Sequence, residues 1–280
     1  MDAIDKKIIL ALFRDGRISQ RKIAEEVGLS ATSLNYRFNK LLEDKIIKSF
    51  KLFVSPNLYN KYYAFVSFKN SRDYEAYYVN VKVKCLEELN VYQIQGDSYN
   101  DLYDKISTMS KELGEPKMVY IPNQNPMKPS GVDIEIIKRL VINPRVDISE
   151  ISKDINIPTK TIQRRINTLI ERNLIRVIPI VDLSKADITA FGVFSNVISK
   201  MTMLDNCKFL EFRDGERGIT VCAVENVKVA GDYVKKVREI DKDAEVMVSI
   251  DYDVDNENAL KELEEIENNA MSTVKRLMDS

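Results

Sequence analysis

The sequence contains no histidine and no tryptophan, and only three of its 280 residues are cysteine. Without histidine, the chain lacks the commonest general base near neutral pH, the Ser-His and Cys-His nucleophile pairs and the imidazole ligands of zinc and haem. Cys85, Cys207 and Cys222 are too scattered for a CxxC metal site or a disulfide framework, which favours a reducing cytoplasmic location. These absences count against an enzyme and lead us to expect no metal and no cofactor.

Long hydrophobic runs are also missing. No stretch approaches the ~18–20 apolar residues of a membrane span, and the acidic start at Met1–Lys7 does not resemble a signal peptide. The net charge is only -1, but it is unevenly distributed. Residues 1–60 hold 11 basic and 7 acidic side chains and residues 131–181 hold 9 and 6, whereas residues 182–280 hold 13 and 21. Two basic regions in an otherwise acidic chain favour contact with phosphate groups.

The chain contains an internal repeat. Residues 5–48 align without a gap to residues 133–176, at a constant offset of 128 residues, and eleven of the 44 positions are identical. The identical pairs are Asp5/Asp133, Ile8/Ile136, Ile9/Ile137, Leu12/Leu140, Arg17/Arg145, Ile23/Ile151, Arg37/Arg165, Asn39/Asn167, Leu41/Leu169, Glu43/Glu171 and Ile47/Ile175. Chance similarity between helices would not keep its register through two turns, so we interpret the repeat as a duplication.

Each copy of the repeat has the pattern of three helices. In the first copy, apolar residues recur at helical spacing up to Asp15-Gly16, Ser19 and Ser30 are suited to cap the second and third helices, and Gly28 suits the end of the second. The second copy has Asp147 with Glu150 as a capping-box pair, Asn156 in place of Gly28 and Pro158 in place of Ser30.

A β-rich run follows each third helix, at residues 46–54 and 174–181, and we expect it to form the wing. Two short helices, a basic third helix and a strand pair describe a winged helix-turn-helix.

The segments after each wing predict a β-α-β-β-α-β order. After the first wing we expect strands at residues 63–69, 91–95 and 118–121, a helix over Tyr74–Leu89, and a short strand or helix at residues 100–113. After the second wing we expect strands at residues 189–196 and 244–252, a hairpin of residues 208–212 and 218–224 around Asp214-Gly215, and a helix at residues 227–240. The fold class is therefore α+β. The expected domains are residues 1–57 and 131–184 (winged helix-turn-helix units), 58–122 and 185–255 (αβ domains), 123–130 (linker) and 256–280 (C-terminal helix).

Both halves resemble the Lrp/AsnC family of feast/famine regulators. The resemblance is closest over Asp5–Pro56, through the motifs Asp15-Gly16-Arg17, Ile23-Ala24 and Val27-Gly28-Leu29-Ser30, followed by Arg37 and Ile46-Ile47. It implies that each αβ segment is a ferredoxin-like βαββαβ (RAM-like) domain and that the protein regulates transcription. Family members carry one such unit per chain and dimerise, so this chain would be a fused dimer. The family's effector turn is altered at residues 96–101, which leaves any small-molecule effector unidentified.

The third helix of each copy is expected to read double-stranded DNA. With its apolar residues inward, the opposite face carries side chains suited to base edges and phosphates. In the first copy these are Ser30, Thr32, Ser33, Asn35, Tyr36, Arg37, Asn39 and Lys40. In the second they are Thr159, Lys160, Thr161, Gln163, Arg164, Arg165 and Asn167. Arg37 and Arg165 match the family's recognition-helix arginine, and we expect Lys48, Lys51 and Arg176 to contact phosphates.

Two other functions remain open. The first is an enzyme resembling the sirohaem decarboxylases, which have the same fold, but those enzymes rely on histidines and the acidic second αβ domain would repel a polycarboxylate porphyrin. The second is an adaptor whose helix-turn-helix units bind protein, but the basic third helices count against it. A homodimer formed through the αβ domains or the C-terminal helix is also left open, and no membrane partner is expected.

Overall fold

The computed structural model describes residues 1–70 and 72–278, with side chains up to residue 269. The duplication is confirmed, since each copy forms three helices. The first copy contains α1 Ala3–Arg14, α2 Gln20–Val27 and α3 Ala31–Glu43. The second contains α5 Gly131–Ile142, α6 Ile148–Ile155 and α7 Thr159–Glu171, with α4 lying between the copies at Tyr99–Leu113.

The helix ends follow the capping residues in the sequence. The side chains of Ser19 and Ser30 accept hydrogen bonds from the backbone of α2 and α3. Gly28 and Asn156 end α2 and α6 in the left-handed conformation, at φ 70° and 53°. Asp147 caps α6, since its side chain accepts a hydrogen bond from the Ser149 amide. The expected capping box with Glu150 does not form.

The strands expected after each third helix are present, but their pairing partner differs from that of a wing formed within one unit. Each copy contributes one strand after its third helix, β1 Ile47–Val54 and β6 Ile175–Val181. The two strands pair with each other in an antiparallel ribbon, with Leu52 opposite Val177. A β-rich run reveals a strand but not its partner, and here the partner lies in the other copy of the repeat.

The first αβ domain departs from the expected order. Its elements are β2 Tyr62–Lys69, β3 Val79–Cys85, β4 Leu89–Gly96, α4 and β5 Pro116–Tyr120. The helix predicted over Tyr74–Leu89 is wrong, because its second half is strand β3. Valines 79, 81 and 83 alternate there with polar residues, and that period-two pattern indicates a strand.

The second αβ domain follows its prediction more closely. After the short helix α8 Leu183–Ala186 come β7 Thr189–Ser195, β8 Lys208–Asp214, β9 Arg217–Val224, α9 Val227–Ile240 and β10 Glu245–Val254. The hairpin turns at Gly215, whose φ is 61°. Two 3-10 turns, Ile198–Lys200 and Thr202–Asn206, stand where the first helix of a βαββαβ unit would be.

The two αβ domains share one eight-stranded sheet of order β5-β2-β4-β3-β10-β7-β9-β8. β10 and β3 pair at the centre and join the two halves. Aromatic and aliphatic residues from both halves pack together on one sheet face, where the rings of Phe65 and Phe212 lie 4.6 Å apart. Tyr120 of β5 donates to the carbonyl of Phe212 across this contact. This sheet face is therefore buried within one chain, as a fused dimer requires.

The C-terminal helix α10, Glu257–Met278, packs on its own chain over its first turns. Ala259 and Leu263 are buried in the cluster that also holds the core of the second helix-turn-helix unit. The apolar spacing of this helix in the sequence continues through Ala270, Val274 and Leu277, whose side chains lie outside the described residues.

The cysteines also differ from expectation. Cys207 and Cys222 form a disulfide between the residue before β8 and strand β9, whereas Cys85 is a buried free thiol.

Candidate nucleic-acid interface

The outward face of α3 carries the side chains that the sequence placed there. Leu34, Phe38 and Leu41 are buried. The exposed residues are Thr32, Ser33, Asn35, Tyr36, Asn39 and Lys40. Tyr36 is 69% exposed. Ser30 acts as the helix cap, and its hydroxyl is hydrogen-bonded to Ser33 at 2.9 Å.

The corresponding face of α7 is more basic. Ile162, Ile166 and Leu169 are buried. Thr159, Lys160, Gln163, Arg164 and Asn167 are exposed, and Thr161 is half-buried. Gln163 donates to Asn167 at 2.8 Å, one turn along the helix, which holds both amides on the same face. Up to residue 269, no ion pair involves Lys160 or Arg164, so both charges are available to a ligand.

Arg37 and Arg165 do not face outward as expected. Nη1 of Arg37 lies 2.8 Å from carboxylate oxygens of both Asp2 and Asp5. Nη1 of Arg165 lies 3.0 Å from Asp133, the residue equivalent to Asp5, and 3.1 Å from the Ser130 hydroxyl. Each arginine therefore ties the third helix to the start of the first helix in its own unit. The prediction that they face outward is corrected: each arginine acts as a brace between the third and first helices of its own unit.

Two of the three expected phosphate contacts are also corrected. Lys51 donates to the carbonyl of Val254 at 3.2 Å and faces the αβ domains, because its position on β1 points toward β10. Arg176 donates to the carbonyl of Arg14, and burial lowers the pKa of its guanidinium. Lys48 is exposed and remains a candidate phosphate contact.

Sequence reasoning missed a contact between the two helix-turn-helix units. Arg17 donates to the carbonyls of Pro144 and Val146, at 2.5 and 2.8 Å. Arg145, its equivalent, donates to the carbonyls of Gly16 and Ile18. The identity of Arg17 and Arg145 in the repeat indicated that this position matters. It did not indicate that each arginine binds the other copy.

The described residues include no group of histidine, cysteine or carboxylate side chains arranged to hold a metal ion. No helix within that part of the chain is both long and apolar enough to cross a bilayer.

Comparison with known proteins identifies the family. A family model described as winged helix-turn-helix DNA-binding matches residues 1–48 and again residues 130–176. The HTH-type transcriptional regulator FL11 of Pyrococcus furiosus is 34% identical over 114 residues, which are 40% of this chain and 74% of the relative. The Bkd operon transcriptional regulator of Pseudomonas aeruginosa is 34% identical over 102 residues, 35% of this chain and 67% of the relative.

The chain belongs to the Lrp/AsnC family of transcription regulators. Its two family-model segments coincide with the two copies of the repeat, so it is a duplicated member of that family.

Similar solved structures include proteins of two kinds. The sirohaem decarboxylase NirDL covers 96% of this chain and 99% of its own, with 13% identity and a TM-score of 0.44. LrpC of Bacillus subtilis covers 45% of this chain and 99% of its own, with 18% identity and a TM-score of 0.34.

Proposed function

We propose that this Lrp/AsnC-family chain is a sequence-specific double-stranded DNA-binding transcription regulator that reads DNA with two non-identical recognition helices, α3 and α7. One observation carries the proposal: both helices bury their apolar residues against their own units and expose polar and basic side chains on the opposite face. A helix of this kind in the major groove can reach base edges with amides and arginines and phosphates with lysines.

The exposed faces have diverged in chemical character, whereas the buried faces have stayed apolar. Leu34 and Leu41 correspond to Ile162 and Leu169, all buried. On the exposed face, Thr32 corresponds to Lys160, Asn35 to Gln163 and Tyr36 to Arg164. Each replacement again places a polar or charged side chain that can reach a base edge or a phosphate, as two helices with different base contacts would require.

This divergence predicts an asymmetric operator. Symmetric dimers require palindromic sites because protein symmetry is mirrored in the half-sites. A chain with two unlike helices is free to bind two unlike half-sites, at centres ~10 bp or a multiple of that apart. The half-site under α7 should be richer in guanine, because Arg164 presents two donors that suit guanine O6 and N7.

DNA binding is tested by measuring the affinity for duplex DNA across a range of salt concentrations. Log K should fall linearly with log salt, by about 0.9 for each phosphate neutralised. The variant Lys40→Glu/Lys160→Glu should bind more weakly and show a shallower slope, because it removes one basic residue from each exposed helix face. The variant Lys228→Glu/Lys235→Glu makes the same charge change on α9 and should bind as the wild type does. Equal losses in both variants would contradict the assignment of α3 and α7 to the interface.

A further inference from the structure

The arginines between the first and second helices of each unit form a reciprocal contact. Arg17 binds the carbonyls of the two residues that flank Arg145, and Arg145 binds the carbonyls of the two residues that flank Arg17. Four hydrogen bonds therefore cross between the units around a pseudo-twofold axis. We call this pair of arginines the clasp.

The clasp would be costly to break. Desolvation lowers the pKa of both guanidinium groups, although an arginine remains charged at neutral pH. At Arg17, the carboxylates of Asp15 and Asp147 offset part of the cost of removing the guanidinium from water. The positive charge of Arg17 also lowers the pKa of Arg145, because the two guanidinium groups repel each other. Without the arginines, carbonyls at the junction would lose charge-assisted donors. A lysine cannot replace the planar fork that spans two carbonyls.

The clasp also reaches the interior of the first unit. The guanidinium of Arg145 lies 4.9 Å from the ring centroid of Phe50 on β1 and 5.8 Å from that of Phe38, a buried residue of α3. Arg145 thus connects the turn of the second unit to the recognition helix of the first. Phe38 and Phe50 correspond to Ile166 and Ile178, so Arg17 has no aromatic partner at the equivalent positions.

The units are also connected by the two-stranded ribbon of β1 and β6, where Arg176 donates to the carbonyl of Arg14. Two-stranded ribbons twist more readily than wider sheets and are marginally stable alone. A ribbon of this kind restrains the separation and relative rotation of the two recognition helices less than a wider sheet would, and the clasp, whose Arg145 lies against Phe50 of β1, adds a second restraint beside it.

We infer that the Arg17–Arg145 clasp fixes the separation and orientation of α3 and α7, and so makes the protein selective for one spacing between its two DNA half-sites. This inference rests on the proposed function. The arginines are positioning residues, since they touch the other unit and not DNA.

The test uses full-length protein and duplexes that carry the two selected half-sites at centre-to-centre spacings varied in single base-pair steps. We expect wild-type protein to prefer its best spacing by at least about tenfold over spacings one or two base pairs away. In Arg17→Lys/Arg145→Lys, that ratio should fall to about twofold, while the affinity for a duplex with one half-site stays unchanged. The control Arg213→Lys/Arg238→Lys, which changes two exposed arginines of the second αβ domain, should keep the wild-type profile.

A measurement without DNA keeps the inference separate from the proposed function. Spin labels at Lys40→Cys and Thr168→Cys, equivalent positions on the two exposed faces, should give a narrow distance distribution by pulsed electron resonance. The distribution should broaden in Arg17→Lys and, more strongly, in Arg145→Lys, because Arg145 also loses its aromatic contacts. Folded clasp variants that keep both the narrow distribution and the wild-type spacing profile would overturn the inference. Wild-type protein that shows the narrow distribution but binds no duplex would instead overturn the proposed function.

Discussion

The two helix-turn-helix units have the same three-helix design but are attached to the rest of the molecule differently. The first unit lies directly on the second αβ domain, where the rings of Phe13 and Phe209 are 4.9 Å apart. Lys6 there pairs with Asp187 at 2.5 Å and donates to the carbonyl of Glu225.

The second unit meets an added helix instead. Its Ile134, the equivalent of Lys6, is buried in the cluster that contains Leu263 of α10. Lys138 of α5 forms an ion pair with Glu267 of the same helix. Duplication therefore preserved what each unit needs to fold and to present its third helix, while the attachment of each unit was free to change.

The largest effects should come from the apolar side chains that attach each unit. Leu263→Ala should destabilise the protein by about 2–5 kcal/mol and Phe209→Ala by about 3–5 kcal/mol, since both changes leave a cavity in a buried cluster. Hydrogen exchange should show α5 loosened first in Leu263→Ala and α1 loosened first in Phe209→Ala. Equal loosening of both helices in both variants would mean that the units are not separately attached.

A smaller loss of stability is expected from a substitution at Gly16, where the first unit approaches the ribbon of β1 and β6. A Cβ on Gly16 would lie 2.3 Å from the carbonyl oxygen of Val177, so the backbone would have to shift. Gly16→Ala should cost about 1–3 kcal/mol by overpacking. Gly131→Ala is the control, because a Cβ there meets open space. Position 131 corresponds to position 3 of the first copy, which is already an alanine. Chemical denaturation should show Gly131→Ala unchanged or stabilised by up to ~1 kcal/mol, and an equal loss in both variants would contradict the close approach.

Removing the braces on the third helices should cause the smallest loss of stability. Arg37→Ala and Arg165→Ala should each lower the free energy of unfolding only slightly, because the ion pairs are partly exposed and screened by solvent. Both should weaken binding to all DNA sequences alike without changing sequence preference. A change of preference at one operator position would show instead that the arginine reads a base.

The Arg37 brace also has a pH dependence. The Asp5 amide, and after it the Arg37 guanidinium, lowers the pKa of Asp2. The stability that the Asp2 carboxylate contributes is therefore present above its pKa in the unfolded chain, about 3.9. It is lost as the pH falls through the lower pKa that Asp2 has in the folded protein. Acid titration of Arg37→Ala should show less of this loss than the wild type, and an identical titration would exclude the brace.

The sequence predicted the elements whose signals are local. Apolar spacing and capping residues gave the six helices of the two units, and Asp214-Gly215 gave the β8–β9 turn. What the sequence missed depends on distant partners. The β-rich runs predict strands β1 and β6, but each strand pairs with the other copy of the repeat, and no local pattern indicates that partner. The ion pairs of Arg37 and Arg165 and the clasp join residues that are 32 to 129 positions apart, a distance over which spacing along the chain carries no signal.

The cysteines show the same limit. Cys207 and Cys222 are 15 residues apart and meet only because β8 and β9 form a hairpin. By contrast, the exposed faces of α3 and α7 could be predicted because a helix fixes which side each residue occupies once its apolar side is known.

The central claim is that the two recognition helices read different DNA sequences, and selection of bound duplexes from random DNA tests it most directly. Wild-type protein should select two unlike half-sites, with guanine enriched in one of them. Arg164→Ala should lose that guanine, at a cost of about 1–3 kcal/mol for the site that contains it, and leave the other half-site unchanged. A symmetric motif that Arg164→Ala leaves unaltered would contradict the account.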